Sequence, residues 1–256
     1  MQRYFVTPEQ IEGSRIALSG DDAHHITRVM RMELGDVIIV SDGISRVAEA
    51  RIAALSPGIV EAEAAEWLPI GGEPLWSVTV AQSLPKGDKM ELVIQKGTEI
   101  GAAAFLPFES QRMIVQYDGK KEAKRLERWG KIAKEAAEQA HRSVIPDIEA
   151  VASWKQLLAR IPAFDLALFC YEKESGGKGL REAVSAHRQS GGWGREARRV
   201  LLVVGPEGGF AEREAEEAEE AGAIVVGLGK RILRTETAAM VGLACLMYES
   251  GEMGGV

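Results

Sequence analysis

The chain has 256 residues, of which 46% are hydrophobic and 27% are charged, and its formal net charge is -7. This length suffices for one large domain or two smaller ones. No apolar run approaches the roughly 20 residues that cross a bilayer, and the first residues lack the apolar core of a signal peptide, so we expect a cytoplasmic protein. Cys170 and Cys245 fall in apolar patterns. We therefore expect two buried free thiols and, without a Cys/His cluster, no metal site.

Residues 1 to about 70 predict a small β-rich unit. Three strands separated by turns at residues 42–43 and 57–58 are predicted over 37–43, 46–55 and 58–67. A helix that begins at Asp21 or Asp22 and runs to Gly35 is predicted before them. The segment 69–74, rich in Pro and Gly, is the predicted linker.

From residue 75 onward, strands alternate with helices, which favours an α/β protein with a largely parallel sheet. The predicted strands are 76–84, 102–108, 165–171, 199–205 and 223–229. The predicted helices are 88–100, 122–142, 178–188, 211–221 and 236–249. An exposed loop is predicted over 190–196.

Two glycine-rich turns follow two of the apolar strands, GPEGG at 205–209 and GLGKRILRTETA at 227–238. Open α/β sheets bind ligands at such strand ends. The first turn does not suit a pyrophosphate, because Pro206 has no N–H and Glu207 would face an anion. Neither turn matches a Walker loop, since Arg231 follows Lys230 where Ser or Thr is required. A ligand with cationic character fits better, although glycine also serves ordinary turns.

The segments VGPEGGF (204–210) and LGKRILRTETA (228–238) closely resemble the RsmE family of S-adenosylmethionine-dependent RNA methyltransferases, in the SPOUT superfamily. Further segments fit the same family in the expected order, at 24–36, 82–101, 108–115 and 135–146. The resemblance implies a C-terminal SPOUT α/β trefoil-knot domain over 75–256 and an N-terminal PUA-like RNA-binding β-barrel over 1–70. It also implies methylation of uridine N3 in 16S ribosomal RNA, bare or in the 30S particle, by a homodimer that needs no metal.

The resemblance further implies that the knot loops hold S-adenosylmethionine, largely through backbone groups. The implied cofactor-binding residues are Tyr171, Val204, Gly205, Pro206, Glu207, Gly208, Gly209, Leu228, Gly229, Ile232, Leu233, Arg234, Thr237 and Ala238. Three of them, Leu228, Ile232 and Leu233, are expected to offer apolar contact to the adenine or the methionine stem.

The candidate catalytic groups lie mainly in the segment LRTETA (233–238). Thr235 can cap the following helix and Glu236 suits the positive end of its dipole, so a plain helix cap explains both residues but not Arg234. An arginine fork binds phosphate or an oxyanion, and loss of the N3 proton spreads negative charge to O2 and O4 of uridine. We therefore assign one of these roles to Arg234. Glu236 and Glu207 are the candidate proton acceptors or sulfonium partners.

The distribution of charge leaves room for RNA despite the net charge of -7, because phosphate contact is local. Basic residues outnumber acids by eight to three between residues 112 and 134, whereas seven glutamates and one arginine lie over 207–220. The basic band is either a solvated helix face or an RNA footprint, and we interpret the acidic helix as solvent-facing. With the resemblance, the predicted RNA contacts are Arg3, Arg28, Arg31, Lys86, Lys96, Arg112 and Arg142. Arg28 and Arg31 are expected on one helix face, and Gln95 and Glu99 are expected near the cleft, holding Arg112 or Arg142.

Other functions also fit the sequence. The chain could be a non-catalytic RNA-binding protein that keeps the fold, or an enzyme that uses the glycine turns for a different nucleotide. A methyltransferase of this fold could also act on a different RNA nucleotide.

Overall fold

The computed structural model describes residues 1–115, 119–171, 178–191 and 198–253. The chain forms two compact units, one of Met1–Glu73 with Ala137–Ile145 and the other of Pro74–Ala136 with Pro146–Val256. Most of the loop predicted over 190–196 lies outside the described residues. Among the described helices, none is both long and apolar enough to cross a membrane.

The first unit contains a six-stranded sheet. Its strands are β1 Arg3–Phe5, β2 Ile11–Glu12, β3 Arg15–Ser19, β4 Val37–Ser41, β5 Val47–Ser56 and β6 Ile59–Leu68, in the order β1-β4-β5-β6-β3-β2. Strands β1 and β4 pair in parallel, and the other described pairs are antiparallel. The three predicted strands are confirmed as β4, β5 and β6. Strands β1 to β3 were not predicted, and β1 and β2, with three and two residues, are too short to show an alternation.

The helix of the first unit is much shorter than predicted. Helix α1 spans Gly20–His24 and continues as a π-helix over His25–Val29, so the predicted extension to Gly35 is wrong. The two aspartates predicted as caps lie inside its first turn. Arg31 lies beyond the helix with a positive φ of 53°, and it therefore does not share a helix face with Arg28. Met30 and Leu34, which follow the π-helix, are exposed, so they add little core contact to stabilise a longer helix.

The turn between β4 and β5 is organised by Asp42. Its Oδ1 accepts hydrogen bonds from the backbone N–H groups of Ile44, Ser45 and Arg46, and its Oδ2 accepts one from Arg46 Nε at 2.8 Å. Burial raises the pKa of Asp42, but these hydrogen bonds outweigh burial and lower the pKa to about 2.

The second unit contains a seven-stranded sheet whose described strand pairs are all parallel. Its strands are β7 Trp76–Ser83, β8 Ala104–Phe108, β9 Asp147–Ile148, β10 Leu166–Cys170, β11 Lys178–Gly179, β12 Arg198–Val204 and β13 Ile224–Gly227, in the order β11-β13-β10-β12-β7-β8-β9. The five predicted strands are confirmed. Strand β12 lies between β7 and β10, and its residues from Val200 to Val204 are buried. Such a continuous apolar run is typical of a parallel strand covered on both faces.

Helices alternate with the strands along this part of the chain. They are α2 Lys89–Ile100, α3 Gly119–Gln139, α4 Trp154–Arg160, α5 Leu180–Gly191, α6 Glu212–Glu220 and α7 Thr235–Ser250. All but the seven-residue α4 were predicted to within a few residues. Helix α7 packs on α2, β7 and β12, and this close approach requires glycine, because a Cβ on Gly242 would lie 2.9 Å from Leu202 Cδ2.

Helix α7 also explains why the cysteine prediction is wrong for one residue. Its buried face carries Gly242, Leu243 and Leu246, whereas Cys245 is exposed on the opposite side. Cys170, at the end of β10, is half-buried. A helix that is apolar all round gives no sign in its sequence of which face packs against the sheet.

Candidate active site

A cavity of about 880 Å³ opens at the carboxyl ends of β10 and β12. Its walls include Cys170 and Tyr171 after β10, the turn 204–210 after β12, and Leu233 and Ala238 around the start of α7. The strand order reverses here, since β12 enters the sheet between β10 and β7, and open α/β sheets bind ligands at such a point. The volume is that of a site for a small organic molecule or cofactor.

The turn after β12 is fixed by buried hydrogen bonds. Thr235 Oγ1 donates to the carbonyl oxygen of Gly205 at 2.6 Å. The Nε2 of Gln82, a fully buried residue, donates to the same carbonyl at 3.2 Å, to Thr235 Oγ1 at 2.9 Å and to the carbonyl of Ser83 at 2.9 Å. These bonds join the ends of β7 and β12 to the start of α7. The predicted capping role of Thr235 is therefore wrong, because Arg234 occupies the N-cap position and Thr235 bonds to Gly205.

The far end of the same turn is anchored by Phe210. Its ring is buried against Phe169, with 4.2 Å between the centroids, and stacks on Phe108 at 6.2 Å. A Cβ on Gly205 would approach the Phe210 ring to 3.0 Å, so a larger residue here would have to displace the ring. Gly209 has a φ of 64°, and its N–H donates to the Pro206 carbonyl.

The structure brings together half of the predicted cofactor-binding residues. Those that line the cavity are Tyr171, Val204, Gly205, Pro206, Gly209, Leu233 and Ala238. Leu228 and Gly229 instead line a separate apolar groove beside α7, and Ile232 is 89% exposed. Leu228 and Ile232 are not among the described residues that line this cavity, and their contact with the cofactor stays a prediction.

The two candidate carboxylates lie on either side of Lys89, a residue that the sequence analysis did not single out. Lys89 Nζ is 2.8 Å from Glu207 Oε1 and 3.8 Å from Glu236 Oε2. Glu207 Oε1 also accepts from the backbone N–H of Lys86 at 3.0 Å. Burial raises the pKa of Glu207, but the hydrogen bonds from Lys89 and from the backbone outweigh it, and the pKa is lowered overall. Glu236 is buried, and its Oε2 has no hydrogen-bond partner within the described parts of the chain.

Arg234 is exposed at the N-cap of α7. Its backbone carbonyl accepts the first helical hydrogen bond, from Ala238 N–H at 2.8 Å. Thr237, in the first turn, is half-buried. The helix start thus presents an exposed guanidinium next in the chain to the residues that line the cavity.

The basic residues predicted to bind RNA in this unit have different surroundings. Lys86 is exposed. Lys96 Nζ pairs with Glu99 at 2.8 Å. Arg112 lines the cavity, and its Nη1 donates to the carbonyl of Gly208 at 3.3 Å.

In the first unit, two of the predicted RNA contacts are occupied by structural bonds. Arg142 is 4% exposed, and its Nη2 lies 2.6 Å from Glu73 Oε2. Arg3 Nη1 donates to the Arg142 carbonyl at 2.9 Å and to Ser143 Oγ at 3.3 Å, and burial lowers the pKa of Arg3. Arg142 therefore exposes almost no surface to a phosphate and is bound by Glu73, and its contact with RNA stays a prediction. Arg28 and Arg31 are both exposed.

The acidic helix α6 was predicted to face solvent, but one of its faces lines the cavity. Glu212, Glu216 and Glu219 line the cavity from one face of the helix. Glu214 is buried, and its Oε1 accepts a hydrogen bond from Gln111 N–H at 2.8 Å. The spacing i, i+4, i+7 of the three cavity glutamates was visible in the sequence but was attributed to solvation.

Comparison with known proteins identifies the family. The model of a family described as RNA methyltransferase domain matches residues 72–247, and one described as RNA methyltransferase PUA domain matches residues 18–64. The chain is 44% identical to Ribosomal RNA small subunit methyltransferase E of Bacillus subtilis, over 98% of this chain and 97% of that protein. The chain belongs to the ribosomal RNA small subunit methyltransferase E family. The Mycobacterium bovis member is 33% identical over 91% of this chain and 86% of its own length.

A solved structure of the family supports the same assignment. The crystal structure of Ribosomal RNA small subunit methyltransferase E from Neisseria gonorrhoeae bound to S-adenosyl methionine is 30% identical to this chain and superposes with a TM-score of 0.81, covering 97% of this chain and 98% of that one. The fold class predicted from the sequence, a SPOUT α/β domain preceded by a PUA-like unit, is confirmed. Within the described residues, no group of three or more His, Cys, Asp or Glu could hold a metal ion.

Proposed function

We propose that this member of the methyltransferase E family transfers a methyl group from S-adenosylmethionine to N3 of a uridine in 16S ribosomal RNA. The observation that carries the proposal is the cavity between the turn 204–210 and the start of α7, in a chain 44% identical to a ribosomal RNA small subunit methyltransferase. We further propose that residues 1–70 serve as the PUA-like RNA-binding domain and residues 75–256 as the methyltransferase domain.

The cavity has the chemistry that this cofactor needs. When bound, S-adenosylmethionine supplies a methyl group on a positively charged sulfur. Carboxylates of α6 line one wall of the cavity and attract positive charge. Val204, Leu233 and Ala238 supply apolar surface suited to an adenine ring.

The neighbouring side chains suit the proton transfer that methylation at N3 requires. We assign the role of proton acceptor to Glu236, because its Oε2 is buried without a hydrogen-bond partner among the described residues. Glu207 is less suitable, since Lys89 lowers the pKa of its carboxyl group and donates a hydrogen bond to its Oε1. Arg234, exposed beside Glu236, would stabilise the negative charge on the uridine oxygens or bind the target phosphate.

The RNA is expected to meet exposed basic side chains of each unit. In the methyltransferase unit these include Lys86 and the basic residues of α3, of which Arg125 and Arg128 are partly neutralised by Glu91 at 3.0 and 2.7 Å. In the first unit they are Arg28 and Arg31.

We also propose a cytoplasmic homodimer whose interface includes the exposed face of α7. Cys245, Tyr248 and Met253 line an apolar groove there, with Tyr248 62% exposed. Helix α7 would then serve the core through one face and the interface through the other. Sedimentation equilibrium of Tyr248→Glu beside the wild type tests this arrangement, because a charge in the groove should shift a dimer toward monomer.

The function is tested by mass spectrometry of ribosomal RNA from a strain that lacks the gene, before and after incubation with the purified protein. We expect N3-methyluridine to appear only after incubation. Glu236→Gln should lose methyl transfer while S-adenosylmethionine still releases heat in calorimetry. A wild-type protein that binds RNA but gives no heat with the cofactor would instead favour a non-catalytic RNA-binding protein, and methylation of another base would reassign the target.

A further inference from the structure

The cavity carries charges of both signs. Arg112 approaches it from the segment that follows β8, and Glu212, Glu216 and Glu219 approach it from α6. Arg112 is the only basic residue among the described residues that line the cavity. Arg112 was predicted to contact RNA, but a phosphate entering the cavity would be repelled by the three carboxylates.

The segment that carries Arg112 is held firmly. Ser110 Oγ, buried, lies 2.7 Å from the buried Ser83 Oγ at the end of β7. The next residue, Gln111, donates its N–H to the buried Glu214 of α6 at 2.8 Å. These contacts fix the backbone on both sides of the cavity wall, so the position of Arg112 is determined by β7 and α6.

Arg112 itself is seated on the glycine turn. A Cβ on Gly208 would lie 3.2 Å from the Arg112 carbonyl oxygen and 3.3 Å from its Cβ, so the two segments are in close contact. Within the described residues, the guanidinium donates one hydrogen bond, to the Gly208 carbonyl. A guanidinium has five N–H donors in a planar fork that matches a carboxylate, and the bond to Gly208 uses one of them.

We propose that Arg112 binds the carboxylate of the amino-acid portion of the methyl donor, while the α6 glutamates face its ammonium group. The amino-acid end of S-adenosylmethionine carries one negative and one positive group about two bonds apart. A cavity lined by carboxylates alone would attract only the ammonium group, whereas a wall with both signs matches the zwitterion. The inference rests on the proposed function and assigns a specificity-determining residue within it.

Two ligands separate this role from a purely structural one. S-adenosylhomocysteine keeps the amino-acid portion, and methylthioadenosine lacks it but keeps the adenosine and the sulfur. In calorimetry, Arg112→Met should weaken S-adenosylhomocysteine on the order of tenfold to a hundredfold, as expected for a charge-assisted hydrogen bond, and should leave methylthioadenosine unchanged. Arg112→Lys should recover part of the affinity, since it restores the charge but not the fork.

The matched control is Arg213→Met. Arg213 is an exposed arginine of α6 whose Nε pairs with Glu217 at 2.7 Å. We expect the Arg213→Met variant to bind both ligands as the wild type does. Equal weakening of both ligands by Arg112→Met would overturn the proposal and leave Arg112 as a support of the glycine turn. An unchanged affinity for S-adenosylhomocysteine would also overturn it, and with weaker RNA binding would return Arg112 to the RNA. A wild type that binds neither ligand would refute the proposed function itself, a different result from either of these.

Discussion

The substitution Thr235→Val tests whether the hydrogen bonds at the start of α7 hold the turn 204–210 in place for the cofactor. Valine has nearly the shape of threonine, so the change removes the hydroxyl and little else. It deletes the bond to the Gly205 carbonyl at 2.6 Å and the bond accepted from Gln82 Nε2 at 2.9 Å. Both are buried, so water does not replace them.

The cost can be worked out from the partners that remain. Gln82 Nε2 keeps the carbonyls of Ser83 and Gly205 as acceptors, and the Gly205 carbonyl keeps Gln82 as a donor. No buried group is therefore left wholly without a partner, and the loss is that of two ordinary hydrogen bonds at about 1 kcal/mol each. We expect the free energy of unfolding to fall by about 2 kcal/mol and the midpoint of thermal unfolding by roughly 4–8 °C.

Urea denaturation measures the stability, and calorimetry with S-adenosylmethionine measures the effect on the site, where we expect weaker binding because the turn is less fixed. Thr235→Ser keeps the hydroxyl and should lose only about 0.8 kcal/mol for the buried methyl group. Thr237→Val, two residues along the same helix and half-buried, is the control in urea denaturation for replacing threonine by valine, and the wild type is the reference for cofactor binding, because Thr237 is itself a predicted cofactor contact. If Thr235→Val is as stable as Thr237→Val and binds the cofactor as the wild type does, the hydrogen bonds do not organise the turn.

Other substitutions and conditions give further tests. Gly242→Ala should destabilise the second unit by about 1–3 kcal/mol in urea denaturation, because its Cβ would overlap Leu202, and wild-type stability would contradict the packing of α7 on β12. The pKa of Asp42 is lowered to about 2 in the folded chain from an ordinary value of 3.8, so its contribution to stability is present above pH 4 and is lost as the pH falls through 2. Asp42→Asn should accordingly lower the midpoint of thermal unfolding at pH 6, and the difference in midpoint between this variant and the wild type should become smaller at pH 2. The same difference at both pH values would be inconsistent with the lowered pKa of Asp42.

The larger elements of the fold could be predicted from the sequence because each satisfies its own pattern. The run of apolar residues in β12 and the alternation of strands with helices both follow from a parallel sheet covered on two sides. The prediction failed where the pattern depends on a partner elsewhere in the chain. Ile26 is fully buried, whereas Val29 and Leu34 are about 60% exposed, and the sequence does not distinguish the apolar residue that has a packing partner from those that have none.

The same distinction applies to the candidate site. The glycine turns and the carboxylates of residues 207 and 236 could be named as site candidates because their motif is local, and their roles stay predictions. Lys89, which lies between those carboxylates, was missed, since it is 118 residues from Glu207 along the chain and nothing around it in the sequence marks the pairing. The glutamates of α6 were misinterpreted for a related reason, because a helix face turned toward a cavity and one turned toward water carry the same residues.

The contacts of the turn 205–209 indicate the structural role of its residues. A Cβ on Gly205 would crowd the ring of Phe210, and a Cβ on Gly208 would crowd the backbone of Arg112. The side chain of Glu207 is bound by Lys89. At these positions the shape of the turn is set by the residues of this chain that pack against it. A substitution such as Gly208→Val would therefore first displace the segment that carries Arg112. Loss of cofactor binding in that variant would then follow from a displaced wall of the cavity, and it would not require a side chain that fills the space of the cofactor.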